Sequence, residues 1–412
     1  MPQYFLLILI LLGMGFLFQV DFVFYLAYVC AGLYLVNQWF VPHVLRRLSL
    51  ERRYHDHAYL GEAVPVTVTL KNDSRLPALW VQVVESIPFG LLTTRRLSEV
   101  VTLRGRDSLK LPYEVVADRR GYYQLGPLLI TTGDIFGFIE RRSQLAPAYL
   151  TVYPQILPLA RLGLPSRLPF GVITDRRRFY EDPARPQGVR DYRSGDSLRQ
   201  IHWKVSGHTQ ELAVKTFQPT ISLQTVVALN LNLGEHDRRE HYHTTEWGIV
   251  VAGSLAAHLV GLRQAVGLVT NGLDPLLRQT DAAFDAESGR LQNLTPDAAT
   301  QIPSLLPPRP GRAHLMRVLA LLARIEAGHT QPFHAWLPAR TAGLSWGTTL
   351  ILITPCGDEA TCQMAHRLLR AGLNPVLLVA QATGDFGRIR ERARRLGFAA
   401  YLVSSPTDLP FA

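Results

Sequence analysis

Residues Tyr4 to Val41 are an almost unbroken run of hydrocarbon and aromatic side chains. A bilayer offers the backbone no hydrogen bonds, so a run like this is satisfied there as helix. One span needs about 20 residues, and the stretch is long enough for two closely packed helices. The polar break Gln19-Val20-Asp21 marks the turn, because a bare Asp is costly at mid-bilayer and acceptable at its surface. The pattern predicts a transmembrane helical hairpin, Tyr4–Phe18 and Phe22–Phe40, with Tyr4 and Trp39 at the interfaces. The first helix is short for a span and would thin the bilayer locally. A signal peptide is the competing reading, but the run lacks a positive leader and a small-x-small cleavage pattern before Asp21. Arg46, Arg47, Arg52 and Arg53 follow the second helix. By the positive-inside rule they put the bulk of the chain in the cytoplasm, with both ends on that side.

The chain has 412 residues, 43 of them Lys or Arg and 33 Asp or Glu, a net charge of +10. A basic balance suits anionic lipid or nucleic acid. Clustering of arginines beside the apolar run favours lipid, and no nucleic-acid partner is expected. Three cysteines occur, Cys30, Cys356 and Cys362, with no C-x-x-C pair, so zinc-ribbon and thioredoxin chemistry lack their motif. The usage fits a reducing compartment.

From His57 to Tyr153 short alternating runs replace the apolar block. Val64–Leu70, Trp80–Ser86, Glu99–Leu103, Ser108–Val116 and Leu128–Thr132 read as strands, separated by turn residues such as Lys71-Asn72-Asp73-Ser74. Regular short strands without a long amphipathic helix predict an all-β, immunoglobulin-like sandwich over 54–155. Residues 156–187 follow as a connector rich in Pro and Arg, including Arg176-Arg177-Arg178, Pro183 and Pro186. Such runs are commonly solvated, and a basic one can also dock on lipid.

Residues 188–220 are denser in information. Gly188, Arg190, Tyr192, Gly195, Asp196, Arg199, Ile201, Trp203, Lys204 and Ser206 fall within a few turns of chain. Ser194-Gly195-Asp196 is a turn signal that brings Asp196 close to Arg199, in range of a bidentate pair. Ile201 and Trp203 are predicted on one face of an extended segment, His202 and Lys204 on the other. An alternating strand, Leu212 to Phe217, comes next. Two readings stand: a domain junction held by a buried Trp and an ion pair, or a polar site gripping a partner or phosphate.

The spacing Gly188-x-Arg190-x-Tyr192-x-x-Gly195-Asp196-x-x-Arg199-x-Ile201-x-Trp203-Lys204-x-Ser206 resembles the signature of bacterial domain-of-unknown-function family 58. Gly207-His208 departs from it, since the family more usually carries Ala-Arg after the Ser or Thr. Arg120-Gly121-Tyr122-Tyr123 and Gly133-Asp134-x-Phe136-Gly137 are also similar to it, with Ile135 where a Pro is usual. The resemblance implies a membrane hairpin, a β-rich domain, the signature and a von Willebrand A-like domain. It also implies association with a MoxR-type AAA+ ATPase in assembling envelope complexes at the inner membrane.

Residues 221–412 alternate strand and helix. Thr225–Leu231, Ala265–Thr270, Thr349–Thr354, Pro375–Ala380 and Ala399–Val403 read as strands. Thr244–Leu262, Gly311–Ala327, Glu359–Ala371 and Asp385–Leu396 read as helices. The alternation predicts a doubly wound parallel sheet, with Leu273–Pro310 as a long Pro-rich excursion. Von Willebrand A-like domains hold a divalent cation with Asp-x-Ser-x-Ser after the first strand. The matching positions here are Asn230, Asn232 and Gly234, with Thr354-Pro355-Cys356 after the third long strand and Asp358 displaced beyond it. Hard cations want carboxylate oxygens, so no metal and no other cofactor is expected. His236, His241 and His243 have transition-metal spacing but no evident cage. Neither a Walker phosphate loop nor a Gly-x-Ser-x-Gly elbow occurs, and Cys356 has no paired base in view.

The leading expectation is a non-enzymatic, multi-pass inner-membrane scaffold whose α/β domain docks a protein partner, with no catalytic residue assigned. In it the signature fixes the junction, while Asn230 and Asn232 lie at the docking face. The alternative is an envelope-associated hydrolase, transferase or ligand-binding protein using the Gly188–Ser206 signature, with Asp196 and His202 as acid and base. Sequence-independent nucleic-acid binding by the basic connector is a third.

Overall fold

The computed structural model divides into two compact units, Met1–Tyr153 and Pro154–Ala412. It describes residues 2–19, 21–88, 90–93, 97–134, 139–162, 164, 181–193, 201–219, 224–278, 302–381 and 385–403.

Helices α1 (Pro2–Phe18) and α2 (Asp21–Leu45) open the first unit. The chain reverses at Gln19, whose φ of 50° is left-handed. Gly15 lets the two helices close up, since a Cβ there would meet the Phe24 ring at 3.2 Å. By length and composition α2 is able to cross a membrane, and α1 contributes a shorter apolar stretch. The second helix runs past Phe40, where the sequence pattern ends it, because Val41 and Val44 turn into a buried setting and extend the helical face. Val44 joins the β-core itself.

That core is built by β1 (Leu48–Arg53), β2 (His57–Tyr59), β3 (Ala63–Asn72), β4 (Ala78–Glu85), β5 (Leu92–Thr93), β6 (Ser98–Leu103), β7 (Ser108–Val116), β8 (Gly121–Leu125), β9 (Leu128–Gly133), β10 (Glu140–Leu145) and β11 (Ala148–Tyr153). Two antiparallel four-stranded sheets, β1-β3-β7-β5 and β10-β9-β4-β6, accompany a three-stranded β2-β11-β8. Alternate residues of β3 (Val64, Val66, Val68, Leu70) meet Val81 and Val83 of β4 and Ile130 of β9 in one apolar core. This is the period-2 logic of a sandwich, consistent with the immunoglobulin-like expectation. An ion pair is sealed inside: Arg52 Nη2 lies 2.5 Å from Glu85 Oε1, and both side chains are buried. The Tyr113 hydroxyl donates to the other Glu85 oxygen.

In the second unit the start of the Pro-rich stretch is packed, where composition suggested solvated linker. Leu157, Leu159, Leu162 and Leu164 are buried in the α/β core, and Leu157 N donates to Ser254 Oγ at 2.9 Å. Strand β12 (Glu181–Asp191), helix α3 (Trp203–Thr209) and strand β13 (Ala213–Pro219) form a small ribbon with a short helix. The Arg176-Arg177-Arg178 run lies outside the described residues.

The α/β layer follows as β14 (Gln224–Leu229), α4 (His241–Gly261), β15 (Ala265–Thr270), α5 (Pro275–Arg278), β16 (Leu306–Arg309), α6 (Arg312–Arg324), α7 (Phe333–Thr341), β17 (Thr349–Thr354), α8 (Glu359–Arg370), β18 (Asn374–Val379), α9 (Phe386–Leu396) and β19 (Ala399–Leu402). The sheet order is β16-β15-β14-β17-β18-β19. All neighbours are parallel except β16, an antiparallel edge. Pro307 and Pro308 sit in that strand, and Pro is tolerated only where a ladder N–H is dispensable, as at an edge. The predicted excursion thus returns as an edge strand, with 279–301 outside the described residues. Alternate side chains of β14 point to opposite cores. Val227 and Leu229 join α4 and α6, while Val226 and Ala228 join α7, α8 and α9. The sheet is therefore covered on both faces, a doubly wound arrangement.

Candidate functional site

The signature resolves into parts. Gly188 and Arg190 lie on β12, opposite Thr216 and Val214 of β13. Tyr192 N donates to Leu212 O at 2.7 Å, closing the ribbon. Ile201 is buried and bridges to Val214 on the far side of β13. Gly195, Asp196 and Arg199, with the expected ion pair, lie outside the described residues.

Trp203 corrects two expectations. It begins helix α3 and does not continue an extended segment, and it is 69% exposed, not a buried anchor. The physical cause is His202, whose ring Nδ1 accepts from Val205 N and caps the turn. That bond also gives the His202 ring a structural task. Lys204 is exposed beside Trp203. The buried Ser206 hydroxyl, one turn on, accepts from Ala213 N at 2.9 Å and locks α3 onto β13. Ser206, Ile201 and Tyr192 thus hold the ribbon together, and Trp203 stands free of the core.

The second cluster gathers at the carboxyl ends of β14, β15 and β17, where open α/β sheets place their sites. Asn230, 2% exposed, sits at its centre. Its Oδ1 accepts from Asn232 N at 3.1 Å and from Asn271 Nδ2 at 3.0 Å. Its Nδ2 donates to Glu235 Oε2 at 2.5 Å and to Thr354 Oγ1 at 3.3 Å. Both donors and both acceptor positions of the amide are therefore engaged within the protein. Asn232, 4% exposed, accepts from Gly234 N and Thr330 N, each at 3.2 Å. Glu235 turns its other oxygen to Phe333 N at 2.8 Å, at the amino end of α7, where a carboxylate is favoured. Thr354 Oγ1 donates on to Cys356 O at 3.1 Å.

The matched positions thus come together as an internally closed network. Asn230 and Asn232 lie beneath the surface, not on it as expected, and they act by holding the loop after β14. Gly234 is the exposed crest of that loop. Asn271 belongs to the network, accepting from Leu231 N at 2.7 Å. Sequence reading passed over it, although Asn271-Gly272 at a strand end is a turn signal.

His236 is buried against Asn230 O, and burial holds its pKa down to about 4. His241 instead faces Arg238 O at 2.8 Å. Among the described residues no three His, Cys, Asp or Glu side chains converge as a metal site. Burial pushes the Cys356 thiol up to about 11, with Asp358 and Glu235 adding to the effect. A thiol so shifted is a poor nucleophile. Asp358 is spent as a cap, accepting from Thr361 N at 2.9 Å at the start of α8.

Among solved structures, part of the chain is similar to native alpha-2-macroglobulin from Escherichia coli, domain MG7 to the C-terminus. The likeness has 15% identity and a TM-score of 0.24, over 27% of this chain and 17% of that one. It is also similar to the CARDB domain of the PF1109 protein from Pyrococcus furiosus, with 17% identity and a TM-score of 0.21, over 26% of this chain and 91% of that one. In sequence the chain is 25% identical over 169 residues to the uncharacterized protein YeaD of Bacillus subtilis (strain 168), covering 40% of this chain and 42% of the relative. The chain thus matches less than half the length of that relative. A family model described as "Protein of unknown function DUF58" matches residues 188–278, from the signature ribbon through α5.

Proposed function

We propose that this chain is a membrane-anchored, non-enzymatic scaffold whose α/β unit docks a protein partner at the carboxyl edge of its sheet. The observation that carries the reading is the closed Asn230 network. It fixes the loop after β14 to the amino end of α7 and the end of β17, so the exposed Asp237, Arg238, Arg239 and Glu240 beyond it ride on a preformed edge. A surface ordered in advance binds without a further ordering cost. The sheet order, read in chain order of its strands as 3-2-1-4-5-6 with an antiparallel edge, supports a von Willebrand A-like domain. The hairpin α1–α2 is the proposed anchor, with the arginines after it setting a cytoplasmic orientation at the inner membrane. A MoxR-type AAA+ ATPase, acting on envelope complexes, is the partner the sequence resemblance suggests.

The test is retention of such an ATPase by the full chain in detergent, with and without ATP and Mg²⁺. Nucleotide-dependent retention that is lost in an Arg238→Glu/Arg239→Glu variant of unchanged melting temperature supports the reading. Absence of retention in both nucleotide states overturns it.

A further inference from the structure

Charge is distributed unevenly along the strands of the α/β unit. The carboxyl edge mixes both signs, with Glu235, Asp237 and Asp358 beside Arg238 and Arg239, and Asp274 paired with Arg324. The opposite, amino edge comprises 262–265, 309–313, 340–348, 370–374 and 394–399, and none of these stretches contains Asp or Glu. Strand register places them together: Gln224 pairs with Ala265, Thr349 with Asn374, Val376 with Ala399, and Arg309 with Val266.

Arginines fill this edge. Arg370, Arg394 and Arg395 occupy the last turns of α8 and α9, where a cation complements the helix dipole. Fold stability accounts for those three. It does not account for Arg312, in the first turn of α6, where a cation opposes the dipole. Nor does it account for Arg263, which holds φ 60°, a conformation Gly adopts at lower cost. Both are exposed. Two large apolar side chains protrude from the same edge: Trp346, 48% exposed, and Leu262, 55% exposed. Trp346 is fixed there by the chain around it, with Gly347 N donating to Gly372 O at 2.8 Å and Gly372 lying against the indole.

From this juxtaposition we infer that the amino edge of the α/β sheet docks on an anionic lipid surface. Arg395 pairs with Glu391 at 3.1 Å, but the exposed Arg263 and Arg312 lie in stretches that carry no Asp or Glu and match phosphate headgroups, drawn by the negative surface potential. An exposed Trp is suited to the headgroup boundary, where its indole is half apolar and half polar. The same chain carries α2, apolar and long enough to cross a bilayer, which favours a membrane over a nucleic acid as the polyanion. With this edge down, the carboxyl edge and its Asn230-ordered loop face away from the lipid, open to a soluble partner. The inference rests on the membrane reading proposed above.

The test uses the full chain in nanodiscs of phosphatidylcholine with or without phosphatidylglycerol, followed by hydrogen exchange. Exchange in 342–348 should slow about tenfold with phosphatidylglycerol, and high salt or Arg263→Glu/Arg312→Glu should remove the effect. The melting temperature of that variant should stay unchanged. A chain that enters nanodiscs but exchanges identically in both lipids overturns this inference and leaves the anchor intact. A chain that does not enter nanodiscs overturns the anchor. Salt-sensitive flotation with phosphatidylglycerol vesicles then decides this inference, supporting it if the variant loses flotation and overturning it if the parent chain does not float. Protection of 342–348 by single-stranded RNA but not by anionic lipid also overturns it.

Discussion

Asn230 and Glu235 are joined by a 2.5 Å hydrogen bond that ties the end of β14 to the start of α7, because the second Glu235 oxygen receives Phe333 N. Removing the amide strands several partners at once. Asn230→Ala leaves the Asn271 amide and the Glu235 carboxylate each short of a partner, at about 1–3 kcal/mol for an unsatisfied buried group. The expected result is a lower melting temperature and faster amide exchange in 231–236. An unchanged exchange pattern there would mean that the network does not order the loop.

His236 makes stability depend on pH. Its folded pKa of about 4 is below its ordinary 6.5, so the unfolded chain binds the extra proton between those values. The stability contributed by neutral His236 is full above the unfolded value and is lost as pH falls through the window toward the folded one. The shift corresponds to something on the order of 3 kcal/mol. Denaturation of the parent and His236→Gln from neutral pH to pH 4 checks this: the parent should lose more stability, and parallel curves would contradict it.

The signature separates into residues that hold and a residue that stands clear. Ile201→Ala, in a buried bridge, is expected to cost about 2–5 kcal/mol. Trp203→Ala, at an exposed position, should change stability within about 0.5 kcal/mol. A Trp203→Ala variant with a normal melting curve and lost partner retention would assign recognition to the ribbon. A large drop in melting temperature would return Trp203 to a structural role.

In the β-sandwich, Arg52→Ala leaves Glu85 and the Tyr113 hydroxyl buried without their cation. Burial already raises the Glu85 pKa despite the opposing help of Tyr113 and Arg52. Loss of one member of a buried pair costs about 3–5 kcal/mol, whereas replacing both with apolar groups is often near neutral. Chemical denaturation of Arg52→Ala against Arg52→Met/Glu85→Leu should show the double variant as the more stable.

Strands β3, β4, β6, β7 and β9 were legible because the residues alternate and one face of each is the more buried, though in β6 only Leu103 is fully so. Strands β1 and β10, with Glu51-Arg52-Arg53 and Glu140-Arg141-Arg142, were not, since they are edge strands whose charges mask the alternation. Helix α7 went unread because it is short and carries Pro338. At the carboxyl edge, Asn230, Asn232 and Thr354 were recognisable by position after their strands. Their burial was not, because it depends on Asn271 and Glu235 arriving from other loops. Trp203 was misplaced because the helical turn beginning there depends on a cap by His202, which pattern alone does not report.

The buried leucines at Leu157, Leu159, Leu162 and Leu164 decide where this protein can be cut. A fragment begun at Gly188, the first residue of the signature, would strip the cover from α4 and leave Ser254 without its Leu157 bond. It would carry a fresh apolar strip and tend to aggregate. A fragment begun at Pro154 keeps that cover, so the natural seam of the molecule lies at Tyr153, well ahead of the motif by which the chain is recognised.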